Sequence, residues 1–250
     1  MGDPRTSMFG SAIGKIFEWF YSRQLWSQPD PVVSCLSLIE EAIQTTFLRE
    51  KFDGGLDPAY CESLRQDTNK FIPEGVEVIR SQAFLTQGSR AEVNLQSDYH
   101  SVKHGLTLRI GGKADFIHYK APGEVWIIDG KASKHREKYV DSEQLVWYAA
   151  QHYIKYHIAP TRIGFVFWCF PEDPVKWVAY DNNSVRASID QTFDVAKKIR
   201  LKKFDATPSG ECHRCEYREK CDSGKKHLAK RRVETGGRIE TSIFDLEHLT

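Results

Sequence analysis

Asp115 and the run Asp129-Gly130-Lys131 are the residues whose types and spacing could do chemistry. Between them lie two apolar runs, Phe116–Tyr119 and Val125–Ile128, separated by the turn signal Ala121-Pro122-Gly123. That is the pattern of a β-hairpin. A hairpin centred on Pro122 sets Asp115 opposite Asp129, because the two are equidistant from it. Facing carboxylates repel in a sheet. A divalent cation is an economical way to offset the charge, and Lys131, two residues past Asp129, points to the same face. Two acids and a lysine so placed suit metal-assisted cleavage of a phosphodiester. The structural alternative is a turn-forming Asp-Gly and a solvated Asp–Lys pair.

The elements around this pair must hold it. Residues 8–25 and 31–50 have helical spacing of apolar groups, with Pro29 and Pro31 between them. Residues 53–75 are mixed, broken by Gly54, Gly55 and Pro58, with a short helix through Asn69. Strand-like runs follow at Val76–Leu85, Ala91–Leu95, Leu106–Tyr119 and Val125–Ala132. Helical spacing returns at Ser142–Tyr156, capped by Asp141 or Ser142, then strands at Arg162–Phe170 and Trp177–Tyr180, then a helix over Val185–Leu201. This order predicts an α/β (α+β) fold with a mixed sheet flanked by helices. The helix after the Asp129 strand predicts a parallel, right-handed crossover to the Arg162 strand. Four regions follow: a helical region 1–75, a core 76–204, a cysteine segment 205–224 and a charged tail 225–250.

Composition narrows the class. The 250 residues are 40% hydrophobic and 28% charged, as in a soluble globular protein, and no apolar run is long enough to span a membrane. The N-terminus lacks a signal-peptide core, which predicts an intracellular protein. A formal net charge of +1 means that any phosphate-binding surface is local. The basic run Lys225–Arg232 could bind DNA phosphates or stand solvated. Trp19, Phe20, Tyr21 and Trp26 could stack on bases, but their helical spacing favours core packing.

Two further constellations stand out. Gln144 and Tyr148 share one face of the crossover helix, where they could contact a phosphate, orient Lys131 or form an ordinary polar face. Cys212, Cys215 and Cys221 form CxxCxxxxxC, a chelating pattern in a polar segment. His213 keeps zinc open beside iron–sulfur, since ligand softness does not separate them. Cys169, in an apolar strand, reads as a small buried hydrophobe.

Together these residues resemble the RecB-like branch of the PD-(D/E)XK nuclease superfamily. Asp115 stands at its first motif aspartate, Asp129-Gly130-Lys131 at its (D/E)XK, Gln144 and Tyr148 at its QxxxY, and the stretch from Gly10 to Glu18 at its GTxxHxxxE helix. The resemblance spans about residues 10–221. It implies a restriction-endonuclease-like core in which Asp115, Asp129 and the Gly130 carbonyl hold Mg²⁺ or Mn²⁺. Lys131 would then position water or neutralise developing charge, with Gln144, Tyr148 and Glu18 completing the catalytic set. Ala114 replaces the motif proline, and Gly14 stands where many members place a metal-binding histidine.

In CRISPR-adaptation and AddB-type members this cysteine spacing, with one distant N-terminal cysteine, binds a 4Fe–4S cluster tying the C-terminal segment to the N-terminal helices. No cysteine precedes Gly10 here; Cys35, nearer the first helix, or Cys61 would substitute. The resemblance implies a DNA exonuclease acting on ends or single strands in recombination, repair or replication, with a helicase or recombination partner and no membrane. A catalytically weak DNA-binding or scaffolding relative is the alternative, and a zinc-dependent interaction module with structural acids is a third.

Overall fold

A computed structural model describes residues 4–50, 58–133, 136–139, 143–213 and 215–234. They divide into a larger unit, Arg5–Ala196, and a smaller one that carries the chain from Lys197.

The larger unit opens with α1 (Pro4–Ser22), whose Met8, Ala12, Ile13, Ile16, Phe17 and Phe20 recur at helical spacing and are fully buried. Each such side chain contributes roughly 1.5–3 kcal/mol. That offsets the ~1 kcal/mol that Gly10 and Gly14 each cost the helix. The next helix, α2 (Pro31–Leu36), has Pro31 in its first turn, and the Asp30 side chain accepts from Val33 N–H at 3.0 Å. After Ser37 and Leu38 come α3 (Ile39–Glu50), α4 (Pro58–Ser81) and α5 (Ala83–Thr86).

Two sequence expectations change here. Val76–Leu85 is not a strand: Val76 continues α4, and α5 follows it. Val76, Val78 and Ile79 are β-branched strand formers. The buried set Leu64, Thr68, Phe71, Ile72, Gly75, Val76 and Ile79 nevertheless has the period of one helix face, so packing overrides propensity. The apolar run 106–119 is two strands, parted at Gly111 and Gly112. The caps proposed at Asp141 and Ser142 lie outside the described residues.

The sheet contains β1 (Ser89–Asn94), β4 (Lys113–Ala121), β5 (Glu124–Lys131), β6 (Arg162–Phe167) and β7 (Val175–Val178), in the order β1-β4-β5-β6-β7. Only β5 and β6 pair in parallel, joined through α6 (Glu143–Tyr156) as a crossover demands. A separate hairpin pairs β2 (Ser97–Ser101) with β3 (Leu106–Ile110). One apolar cluster joins α1–α4 to Phe116, Ile128, Val166 and Trp168. The other joins Ile117, Ile127 and Phe165 to α6, to α7 (Asn182–Arg200) and to β3. Both sheet faces are covered, which suits the apolar, parallel β5 and β6.

Gly75 of α4 lies against Phe17 of α1: a Cβ there would sit 2.0 Å from the Phe17 ring. Alanine ordinarily favours a helix over glycine by ~1 kcal/mol. At this site we expect Gly75→Ala to destabilise by about 1–3 kcal/mol, read as a lower urea midpoint with unchanged slope. An equal or higher midpoint would show that α1 is not seated on α4 in this way.

Candidate active site

The β4–β5 register pairs Phe116 with Ile128 and Tyr119 with Val125, so Asp115 and Asp129 follow as the next opposed pair. The turn supports that register: Pro122 has a fixed φ and Gly123 takes φ +78°. Asp129 is 2% exposed and Asp115 partly buried.

Their partners differ. Asp115 Oδ2 accepts the Gly130 N–H at 2.8 Å. Asp129 Oδ1 accepts from Gln144 Nε2 at 3.1 Å, and its Oδ2 meets the Lys131 ammonium at 2.5 Å. That second oxygen, although buried, receives no well-angled hydrogen bond. Gln144 also accepts from Lys131 Nζ at 3.1 Å and donates to Tyr148 OH at 3.0 Å. One amide therefore holds the acid and the lysine together, and Tyr148, four residues on, holds the amide. The Lys131 ammonium lies 5.4 Å from the Tyr139 ring centre and 5.5 Å from that of Phe165.

Burial pushes the Asp115 carboxyl up to about 7; the Asp129 charge raises it further, while the Gly130 N–H, Lys131 and Lys113 pull it down. Burial also raises Asp129, against the opposing pull of Lys131.

Asp115 further lines a solvent-open pocket of about 340 Å³, with Gly14, Phe17 and Glu18 of α1, Ala91 and Glu92 of β1, and Phe116, Gly130 and Trp168. Ring contacts seat α1 here: Phe17 and Trp168 centroids lie 4.9 Å apart, and those of Tyr21 and Phe116 5.4 Å. Gly10, Gly14 and Glu18 follow one another at one-turn spacing, and Glu18 pairs with Lys15. No atom lies within 4 Å of where a Gly14 Cβ would stand. At Gly130, by contrast, a Cβ would come 2.7 Å from the Trp168 ring, so the middle position of the Asp129-Gly130-Lys131 run has no room for a side chain.

The sequence reading missed Glu92. Ala91 and Val93 pair with Phe116 and Ala114 on either side of it, which puts Glu92 across from Asp115 on the opposite flank to Asp129. Its backbone is left-handed at φ +53°, uncommon for a residue with a side chain, and its carboxylate pairs with Lys113. An acidic residue in a strand adjoining the Asp115 strand was the available signal, but its register across from Asp115 needed the fold.

The oxygen donors are hard and carry more negative charge than Lys131 neutralises, which fits Mg²⁺ or Mn²⁺. Asp129 Oδ2 already has the Lys131 ammonium at 2.5 Å, so a cation there would share that oxygen with Lys131. Among the described residues, no three His, Cys, Asp or Glu groups converge on one point as a ready ligand set.

Other expected site residues lie elsewhere. Cys212 and Cys221 are in the smaller unit, partly buried, each accepting a backbone N–H at 3.3 Å from Ser209 and Gly224 respectively, while Cys215 is exposed. Cys35 is fully buried in the apolar core of the larger unit, where burial pushes its thiol up to about 12. Cys61 is buried on α4. Cys169 falls in the turn after β6, only partly buried, and its thiol donates to the Ser133 carbonyl at 2.9 Å. Phe20 is core, the Arg23 guanidinium lies over Trp19, and Tyr21 hydroxyl donates to the Ser89 carbonyl. The basic run lies on α8 (Asp222–Glu234).

The family description of the PD-(D/E)XK nuclease superfamily matches residues 2–222, and the chain belongs to that superfamily. No curated protein matches the chain. Among solved structures, the chain is similar to the crystal structure of SSO0001, at 16% identity over 84% of this chain and 97% of that one, with a TM-score of 0.33.

Two outcomes follow from the charge and the open space. An acid whose folded pKa lies above its ordinary 3.8 contributes stability that is full below that value and lost as pH rises through about 7. A divalent cation held by this pair would bind its ionised form, so Mn²⁺ should raise the melting temperature more at about pH 8 than at about pH 5.5. Equal shifts at both would place the cation elsewhere. Gly14→His should enter the pocket without a clash and tighten Mn²⁺ binding by about tenfold, or ~1.4 kcal/mol. Unchanged affinity in calorimetric titration would show that Gly14 does not face the metal.

Proposed function

We propose that this chain is a metal-dependent DNA nuclease, an exonuclease that hydrolyses phosphodiester bonds at ends or in single strands during recombination, repair or replication. The observation that carries this reading is the opposed pair Asp115 and Asp129, with Lys131 and Gln144 locked onto Asp129.

Asp115, Asp129 and the Gly130 carbonyl would hold Mg²⁺ or Mn²⁺, with Glu18 and Glu92 as further acids around the same pocket. The cation, when bound, polarises a phosphoryl oxygen and makes bound water a stronger nucleophile. Lys131 keeps its ammonium between the acid and the substrate side, where it orients water or meets charge developing on the phosphate. Gln144 fixes that ammonium while leaving the site's net charge unaltered, and Tyr148 fixes Gln144. The aromatic rings beside Lys131 limit its other conformations.

The cysteine segment is read as a soft-metal centre, a 4Fe–4S cluster by the family resemblance, with zinc as the other candidate. Two of the thiols, Cys212 and Cys221, accept backbone N–H bonds within this segment, which supports that reading.

The test is digestion of end-labelled single- and double-stranded DNA with Mg²⁺ or Mn²⁺, or with chelator. Degradation should require the cation, and Asp129→Ala or Lys131→Ala should lower it on the order of a hundredfold or more. Glu92→Gln, which keeps the shape and removes the charge, should lower it by about tenfold. Full activity in both Asp129→Ala and Lys131→Ala would sink the nuclease reading at this site. DNA binding without cleavage in the wild type would favour a scaffolding relative.

A further inference from the structure

The CxxCxxxxxC segment supplies three ligands, and a soft-metal centre needs a fourth. The smaller unit offers one that the cysteine pattern does not reveal. Gly224, in the first turn of α8, is buried, and a Cβ there would lie 3.4 Å from Cys221 Sγ and 3.7 Å from Cys212 Sγ. One point on this helix thus has two of the three sulfurs around it. His227 lies three residues on, on the same helix face as Gly224. It is partly buried, and its Nε2 is shielded from solvent with no hydrogen-bond partner among the described residues. A buried ring nitrogen without a partner costs free energy unless something binds it.

By contrast Cys35, the cysteine nearest the first helix, is fully buried among apolar residues of the larger unit, such as Phe20, Leu38 and Ile39.

We propose that His227 is the fourth ligand, making Cys212, Cys215, Cys221 and His227 a Cys₃His centre contained within the smaller unit. This rests on reading the cysteines as a soft-metal site. Thiolate plus imidazole ligation accepts either a zinc ion or an iron–sulfur cluster with one histidine ligand. Cys215 is exposed, and among the described residues no three ligands yet converge. Loading therefore draws Cys212, Cys221 and His227 closer together and turns Cys215 inward about the Cys212–Cys215 bend, where its N–H faces the Cys212 carbonyl at 3.4 Å. The imidazole binds as the neutral base through Nε2, and the thiols release their protons to solvent on binding.

The test is metal analysis of the full chain, purified anaerobically and then offered Zn²⁺ alone, or Fe²⁺ with sulfide. Zinc, iron and acid-labile sulfide are counted per chain, and absorbance distinguishes a coloured cluster from a colourless zinc ion. The wild type should hold one centre per chain. His227→Ala should lose more than half of that metal or shed it to a chelator at least tenfold faster, His227→Cys should keep it, and Cys35→Ser should match the wild type. Circular dichroism of His227→Ala separates ligand loss from unfolding, and His227→Cys, with a thiol at the same position, reads the site even if the alanine variant unfolds. Metal lost in Cys35→Ser but kept in His227→Ala would overturn His227 as the ligand while leaving the metal-centre reading intact. A wild type that takes up neither zinc nor iron would overturn both.

Discussion

The larger unit is organised around two carboxylates that burial and mutual repulsion discourage from ionising together. Asp115 and Asp129 belong to neighbouring strands, and both are raised above the ordinary carboxylate range. A purely structural sheet would place an apolar pair here. Gln144 instead donates to one acid and accepts from the lysine, so it fixes geometry without cancelling negative charge. A buried ion pair roughly breaks even in stability. Folding energy alone therefore gives no reason for two acids, one lysine and an amide at this place. Under the proposed function, that excess negative charge is what a cation would meet.

The same constraint explains the side of the pocket toward α1. A helix packed through Phe17, Phe20 and Ile13 would fill the space over Asp115 if its next turn carried a large side chain. Gly14 leaves that space open, and Glu18, one turn on, puts an acid at its border. On the β1 side, Glu92 takes a left-handed backbone inside a strand, which ordinary sheet pairing gives no reason to tolerate. Lys113 holds its carboxylate and also steadies the Asp115 charge. The acid and the cation thus arrive as a pair, and the strained residue is tied where it flanks the central aspartate.

Much of this was legible before the fold. The hairpin register, the β5–α6–β6 crossover and the pairing of Gln144 with Tyr148 follow from short-range rules: equal distances from a turn, connection length and i to i+4 spacing. What failed was longer in range. Gly75 and Pro73 look like punctuation, yet the glycine is needed because Phe17 occupies the space its side chain would take. The place of Glu92 needed the fold, because register between β1 and β4 spans residues 95–112, which hold another hairpin. The helix α8 has no apolar stripe to announce it; its charged sequence shows no clear helical pattern.

The distribution of donors also bears on how one chain could use two kinds of metal. Cys212, Cys215 and Cys221 lie in the smaller unit, while Asp115, Asp129, Glu18 and Glu92 lie in the larger, together with buried Cys35 and Cys61 and partly buried Cys169. Zinc binds most nitrogen, oxygen and sulfur sites more tightly than manganese does, so affinity alone would let zinc enter the carboxylate site. Under the proposed function, the thiols of Cys212, Cys215 and Cys221 would draw off the soft ion, while a carboxylate pair backed by Lys131 would leave water and phosphate oxygens to complete a hard shell. Neither Cys35 nor Cys61 lines the pocket at Asp115, where a thiol would turn a hard site into a mixed one. On that proposal, segregation by softness would do for metal choice what the Gln144 clamp does for charge: keep the carboxylates available without neutralising them.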